Sequence, residues 1–172
     1  MTTDKMRSTG WPAHRITGVY VWPYRWLDGT AEFLLLHRSG RDGTPFWQGV
    51  SGWIEPDEVP HATALRELRE ENGLEAVALY GVDSVFDLYA WKRGTVETIV
   101  PIAAEIPADA EPMLSDEHDA WRWESLAAAL ALVPYEPQRA ALRRISTDIL
   151  DRPELAGLYR IEIATEATEK SR

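Results

Sequence analysis

The sequence predicts an α/β fold in which a mixed sheet lies between helices. Short runs rich in β-branched, aromatic and leucine residues, bounded by Gly, Pro or Asp, alternate with stretches whose apolar residues recur at helical spacing. Strands interrupted by helices imply a sheet covered by those helices. The length, 172 residues with 45 % hydrophobic, suits one compact domain with a core of its own. That domain is expected over residues 13–163, with 1–12 as a loose arm and 164–172 as a frayed, flexible tail.

Residues 15–22 and 32–38 read as strands, and 41–44 as a turn. Residues 59–72 read as a helix: Ala62, Leu65 and Leu68 form its apolar stripe, and Gly73 stands where a C-terminal cap glycine belongs. Segments 84–91 and 96–106 flank the short connection 92–95 and suggest a hairpin. Pro101 should make the second of these an edge or bulged strand. Residues 118–123 read as a further strand and 125–132 as a short helix. The last helix spans 136–150, with Pro137 in its first turn and Leu142, Ile145 and Ile149 along one face. The two longer helices are expected on opposite faces of the sheet.

Composition narrows the function. The formal net charge is −10 and the pI is about 4.9, which argues against tight binding of a nucleic-acid duplex. With no cysteine there is no disulfide, thiolate zinc site or cysteine nucleophile. The N-terminal 15 residues show no apolar signal region, and no run is long enough to span a membrane, so the default expectation is a cytoplasmic protein without a membrane partner. Oligomeric state stays open, a homodimer included.

The chemistry concentrates in residues 52–74. Glu67, Glu70 and Glu71 stand at i, i+3 and i+4 on the first helix, which puts three carboxylates on one side of it. Like charges so placed repel, and a divalent cation among them would remove the repulsion. Oxygen ligands suit hard cations, and magnesium takes one or two carboxylates together with waters and substrate phosphates. The bland reading is a solvated acidic face, which charge runs usually are.

The spacing changes that balance. Gly52, Glu58, Arg66-Glu67-Leu68, Glu70-Glu71 and Gly73 stand at the intervals of the Nudix box, and the segment resembles that box throughout. With residue usage near about 6–7 % per fixed identity, a chance match is on the order of one in a million. Asp57, where many members have glycine, is a small departure that should alter loop shape more than chemistry. The resemblance implies a Nudix-type α/β/α sandwich and a magnesium-dependent hydrolase, manganese substituting, that cuts a phosphoanhydride bond in a small phosphorylated substrate of the nucleoside diphosphate type. It implies that Glu67 and Glu71 are the principal metal ligands, with Glu70 direct or through water and the Gly52 carbonyl facing the metal. It implies that Glu58 pairs with Arg66 to hold loop against helix, and that one glutamate acts as general base without saying which.

Two flanking segments, 36–52 and 117–140, resemble dihydroneopterin triphosphate diphosphatases, and Phe46-Trp47-Gln48 also resembles hydrolases of dinucleoside polyphosphates. By position, Glu117 resembles a further metal glutamate and Arg38 a phosphate-contacting arginine, with Ser51 and Arg15 as further substrate-side candidates. For Glu117 and Arg38 the plain alternative is a solvated surface residue. Tyr135 departs from the pterin enzymes at a substrate-side position. Trp47, Trp53 and Trp91 are candidates to stack on a base, although most tryptophans are packing residues. The open substrates are dihydroneopterin triphosphate, (deoxy)nucleoside triphosphates, dinucleoside polyphosphates and ADP-ribose. A non-catalytic nucleotide sensor of the same fold usually carries a damaged box, and an isopentenyl diphosphate isomerase would need a cysteine.

Overall fold

The computed structural model describes residues 14–39 and 43–163, with side chains from Ile16 onward. The expected arm, the tail and the first half of the 41–44 turn lie outside the described residues.

The chain opens with a long hairpin, β1 (His14–Leu27) and β2 (Thr30–Arg38). Asp28 and Gly29 close it, both at positive φ (49° and 77°), the two-residue turn that matches strand twist. The pairing runs only from Leu27↔Thr30 to Tyr24↔Phe33. In the alternation of such a hairpin, position 23 would next donate to Leu34, and Pro23 has no N–H to give. The two strands part there. Into the gap come β3 (Phe46–Gln48), paired with β2, and β4 (Val50–Trp53), paired with β1. Gly49 is the crossing between them. A Cβ there would sit 2.5 Å from the Val21 carbonyl oxygen, and its N–H donates to the Tyr20 hydroxyl at 2.9 Å.

On its other edge β1 runs parallel to β7 (Thr95–Glu105), which in turn pairs antiparallel with β6 (Phe86–Ala90) and with β5 (Ala78–Gly81). β8 (His118–Glu124) flanks β2, and β9 (Arg160–Ile161) flanks β5. Among the described residues this is one mixed sheet of nine strands.

Side chains alternate across it. Val19, Val21, Leu34, Leu36, Leu79 and Ile102 pack with Leu68 of α1 (Pro60–Asn72). Tyr20, Trp22, Phe33, Leu35, Tyr80 and Ala103 pack on the opposite face under α2 (Leu126–Leu132), α3 (Glu136–Arg144) and a π-helical turn, Ile145–Leu150. A last short helix, α4 (Pro153–Ala156), follows. The expected α/β/α layering is the observed one. Leu142, Ile145 and Ile149 are buried together as their spacing predicts, although the helix widens to π geometry from Ile145.

Two expectations need correction. Pro101 lies in an interior strand, not an edge one, and the irregularity between β1 and β7 falls on β1 instead, between Ile16 and Gly18, which pair with the consecutive Thr98 and Ile99. It is tolerated because β6 pairing ends at Ile99 and β5 pairing starts at Ile102. The Pro101 carbonyl accepts from Val82 N–H on that side, so the missing donor falls where one partner strand has stopped and the next has not begun. The second correction concerns α1. Its buried residues are Thr63, Ala64, Leu68, Glu71 and Asn72, while Ala62 and Leu65 are only partly covered. The helix is turned towards its acidic side, because Gly52 lets Glu67 approach β4 closely.

Candidate active site

α1 begins after Val59, with Pro60 in its first turn, and ends at Gly73 in the left-handed conformation (φ 66°) that a glycine adopts without strain. Helix and preceding loop are tied by Arg66. Its guanidinium donates to both oxygens of Glu58 (3.1 Å each), to Glu67 (2.7 Å), to Glu70 (3.0 Å) and to the Trp53 carbonyl (2.9 Å). Glu58 also accepts from Thr63 Oγ1 at 2.7 Å and from the Glu55 N–H at 3.2 Å. These donors, Arg66 foremost, hold its carboxyl down at about 2. The expected Glu58–Arg66 pair is present.

The three box glutamates do not share one environment. The Glu70 side chain is 60 % exposed on the outer side of Arg66, whereas the Glu67 side chain is 13 % exposed. Glu71 is buried, and its Oε2 has no hydrogen-bond partner. Burial first, then the charges of Glu67 and Glu117, push its carboxyl up to about 8, against the lowering by Arg38 and by the Ser51 N–H. Burial likewise raises Glu67, partly offset by Arg66. At Gly52 a Cβ would stand 2.1 Å from the Glu67 carboxyl carbon, so only glycine leaves this carboxylate its seat.

Glu67, Glu71, Glu117, Arg38, Ser51 and Gly52 line one cavity of about 450 Å³. Arg38 lies 3.8 Å from Glu117 across it. Glu70 does not line this cavity, and the Arg15 side chain lies outside the described residues. As they stand, among the described residues no three His, Cys, Asp or Glu side chains converge tightly enough to hold an ion by themselves. Magnesium does not require that of a protein, since waters and phosphates complete its shell. A buried, unpartnered carboxylate oxygen with two more carboxylates on the same cavity fits such a cation.

A second cavity of about 640 Å³ adjoins the first. Phe86, Leu88, Tyr135 and Gln138 line both, and Tyr89 and Trp91 lie farther out along the β6–β7 hairpin. Trp53 lines the first cavity and Trp91 the second, but Trp47 lines neither: it packs against His37 (4.8 Å between centroids) and under Arg122 (4.6 Å). Tyr20, Gln48, Phe86, Leu88 and Gln138 were not foreseen as site residues. His118 stands behind the site, buried, with Nε2 3.4 Å from Gln48 Nε2; burial lowers its pKa.

The NUDIX domain profile matches residues 16–146. The bis(5'-nucleosyl)-tetraphosphatase [asymmetrical] of Rattus norvegicus is 38 % identical over 118 residues, 66 % of this chain and 78 % of that protein. The dihydroneopterin triphosphate diphosphatase of Haemophilus influenzae is 30 % identical over 127 residues, 67 % of this chain and 78 % of that protein. The crystal structure of a C. elegans Ap4A hydrolase binary complex superposes with a TM-score of 0.67 at 26 % identity, covering 78 % of this chain and 97 % of that one. The likeness therefore does not single out the dihydroneopterin triphosphate enzymes. Profile, relatives and fold agree on the level above: the chain belongs to the Nudix family and is a pyrophosphohydrolase of that family.

Proposed function

We propose that the chain is a magnesium-dependent hydrolase of dinucleoside polyphosphates, with a bis(5'-nucleosyl) tetraphosphate as the first substrate to test. The observation that carries this reading is the junction of the two cavities. The carboxylate-and-arginine cavity is built for a chain of phosphates, and it opens past Phe86 and Tyr135 into an aromatic-walled cleft of a size for a nucleoside. The identity to the rat tetraphosphatase favours it further. Dihydroneopterin triphosphate is the second reading. The segment 117–140 resembles enzymes of that substrate, and the same cleft would take a pterin ring.

Glu67, Glu71 and Glu117, with the Gly52 carbonyl, would hold the cation, and Glu70, outside the cavity, would contribute through water. When bound, magnesium neutralises phosphate charge and makes water a better nucleophile. The chain's own residues do the rest. Arg38 binds phosphate oxygens, the Ser51 N–H holds Glu71, and Arg66 with Glu58 keeps the box loop against α1. A carboxylate oxygen of the cavity takes the proton of the attacking water as the phosphoanhydride opens in line.

The deciding experiment incubates purified protein with magnesium and a panel: bis(5'-adenosyl) tetraphosphate, dihydroneopterin triphosphate, nucleoside triphosphates and ADP-ribose. Products are identified by mass. Unequal cleavage of the tetraphosphate into a mononucleotide and a nucleoside triphosphate is expected. EDTA should abolish turnover, and magnesium or manganese should restore it. Preference for another panel member overturns the dinucleotide reading, and turnover that survives EDTA overturns the metal.

Arg38→Ala is expected to raise KM about tenfold and to change kcat less, because a contact made already in the bound substrate is lost. Steady-state kinetics on the preferred substrate would show it; an unchanged KM removes Arg38 from the site.

A further inference from the structure

We propose that Arg93 is a positioning residue that clasps the β6–β7 hairpin, one wall of the ring cleft, to the strand end carrying Gly52 and Trp53. The inference rests on the reading above only in taking the cleft to hold the ring end of the substrate.

Arg93 sits in the tight connection of the hairpin, where its N–H and that of Gly94 both donate to the Ala90 carbonyl (2.8 and 2.9 Å). Its side chain turns back along β7. Nε donates to Glu97 Oε1 at 2.8 Å and Nη2 to Glu97 Oε2 at 2.6 Å, and Thr95 Oγ1 adds a third bond at 2.9 Å. Glu97 is only 3 % exposed. A carboxylate so buried needs a paired cation, and a bidentate fork fixes the plane of the guanidinium as well as its position. Held in this way, the guanidinium lies 4.9 Å from the centroid of the Trp53 ring, within cation–π range.

Trp53 is the second half of the clasp. Its ring is under Arg93, while its carbonyl accepts from Arg66 at 2.9 Å. One residue thus touches both the arginine that orders the box and the arginine that orders the hairpin. Phe86 and Leu88 of that hairpin line both cavities, and Arg93 itself lines the outer one. Among the described residues β6 pairs with β7 and with no second strand that would fix the distance of this wall from β4. The Arg93–Trp53 stack supplies that fixed distance. Glu58 holds Arg66 independently, so loss of the clasp should leave the phosphate end in place and loosen the ring end.

The test compares wild type with Arg93→Ala and Arg93→Lys. For a base-bearing substrate, Arg93→Ala should raise KM about tenfold with kcat within about twofold, while the Ki of inorganic tripolyphosphate, which has no ring, stays at the wild-type value. Arg93→Lys keeps the cation without the fork and should recover part of the loss. Hydrogen exchange read by peptide mass gives an answer that needs no substrate. Amides of residues 86–97 should exchange about tenfold faster in Arg93→Ala, with α3 peptides unchanged. An unchanged KM, a KM and tripolyphosphate Ki that rise together, or hairpin exchange at the wild-type rate would each overturn the clasp. If wild type turns over no member of the panel, the proposed function fails, and hairpin exchange alone then decides about Arg93.

Discussion

Gly52→Ala is expected to cut kcat by about 10²–10³ while leaving a folded protein, the range usual for displacing a positioned catalytic group. The added Cβ would overlap the Glu67 side chain, 2.1 Å from Cδ and Oε1 and 2.2 Å from Cγ. Something must move, and the flexible end of a glutamate moves more readily than a strand paired to β1. Glu67 would therefore leave the cavity and stay with Arg66, which already holds it at 2.7 Å. The expected signature is a large loss of turnover with a thermal midpoint within a few degrees of wild type, since about 1 kcal/mol corresponds to roughly 2–4 °C in a domain of this size. Near-wild-type turnover would show that Glu67 is not needed where the structure has it.

Glu71→Gln should be costlier in activity, by about 10²–10⁴ in kcat, and should have the opposite effect on the stability of the metal-free protein. The sequence suggests a harmless swap on a solvated face, but Glu71 is 7 % exposed and its carboxyl is held up at about 8. A carboxyl whose folded pKa lies above its ordinary 4.5 contributes stability while protonated, and that contribution is lost as pH rises from about 4.5 through about 8. Glutamine keeps the shape and never ionises. In EDTA the variant should match wild type near pH 5 and melt at a higher temperature near pH 9. Magnesium should narrow that gap by stabilising wild type at the higher pH. Equal turnover by the two proteins would remove Glu71 from the chemistry, and parallel melting curves at both pH values would remove the burial argument.

The box was legible because its chemistry demands fixed residue types at fixed intervals, and α1 because a cap glycine and periodic leucines bound it. The rotation of α1 was not legible. It is set by the contact of Glu67 with a glycine 15 positions earlier on another element, which no helical periodicity records. The hairpin 84–106 could be read from its Gly-containing turn, but not its interior position, because Pro101 signals an edge unless the change of partner strand is known. β3 and β4, of three and four residues, are too short to show a period. The cleft wall joins Phe86 and Leu88 to Tyr135 and Gln138, groups that meet only in the fold. Two signals were read only as strand boundaries: Asp28-Gly29, a hairpin turn by composition, and Pro23, which ends the pairing with β2 while β1 itself continues to Leu27.

The parting of β1 from β2 sets a constraint on how the molecule assembles. The segment that fills the gap, 46–53, follows both strands in sequence and takes the edges that the hairpin would use beyond Tyr24↔Phe33, so a longer hairpin and the seating of that segment exclude each other. Continued in the same register, Trp22 would face Leu35 and Tyr20 would face His37, a competing ladder with its own apolar pairs. Pro23 weakens that competitor by withholding one donor, and Gly49 makes the correct arrival sterically feasible. Both residues lie away from the carboxylates, yet together they decide between a short sheet that carries a catalytic cavity and a longer hairpin that closes over the place where Ser51 and Gly52 belong.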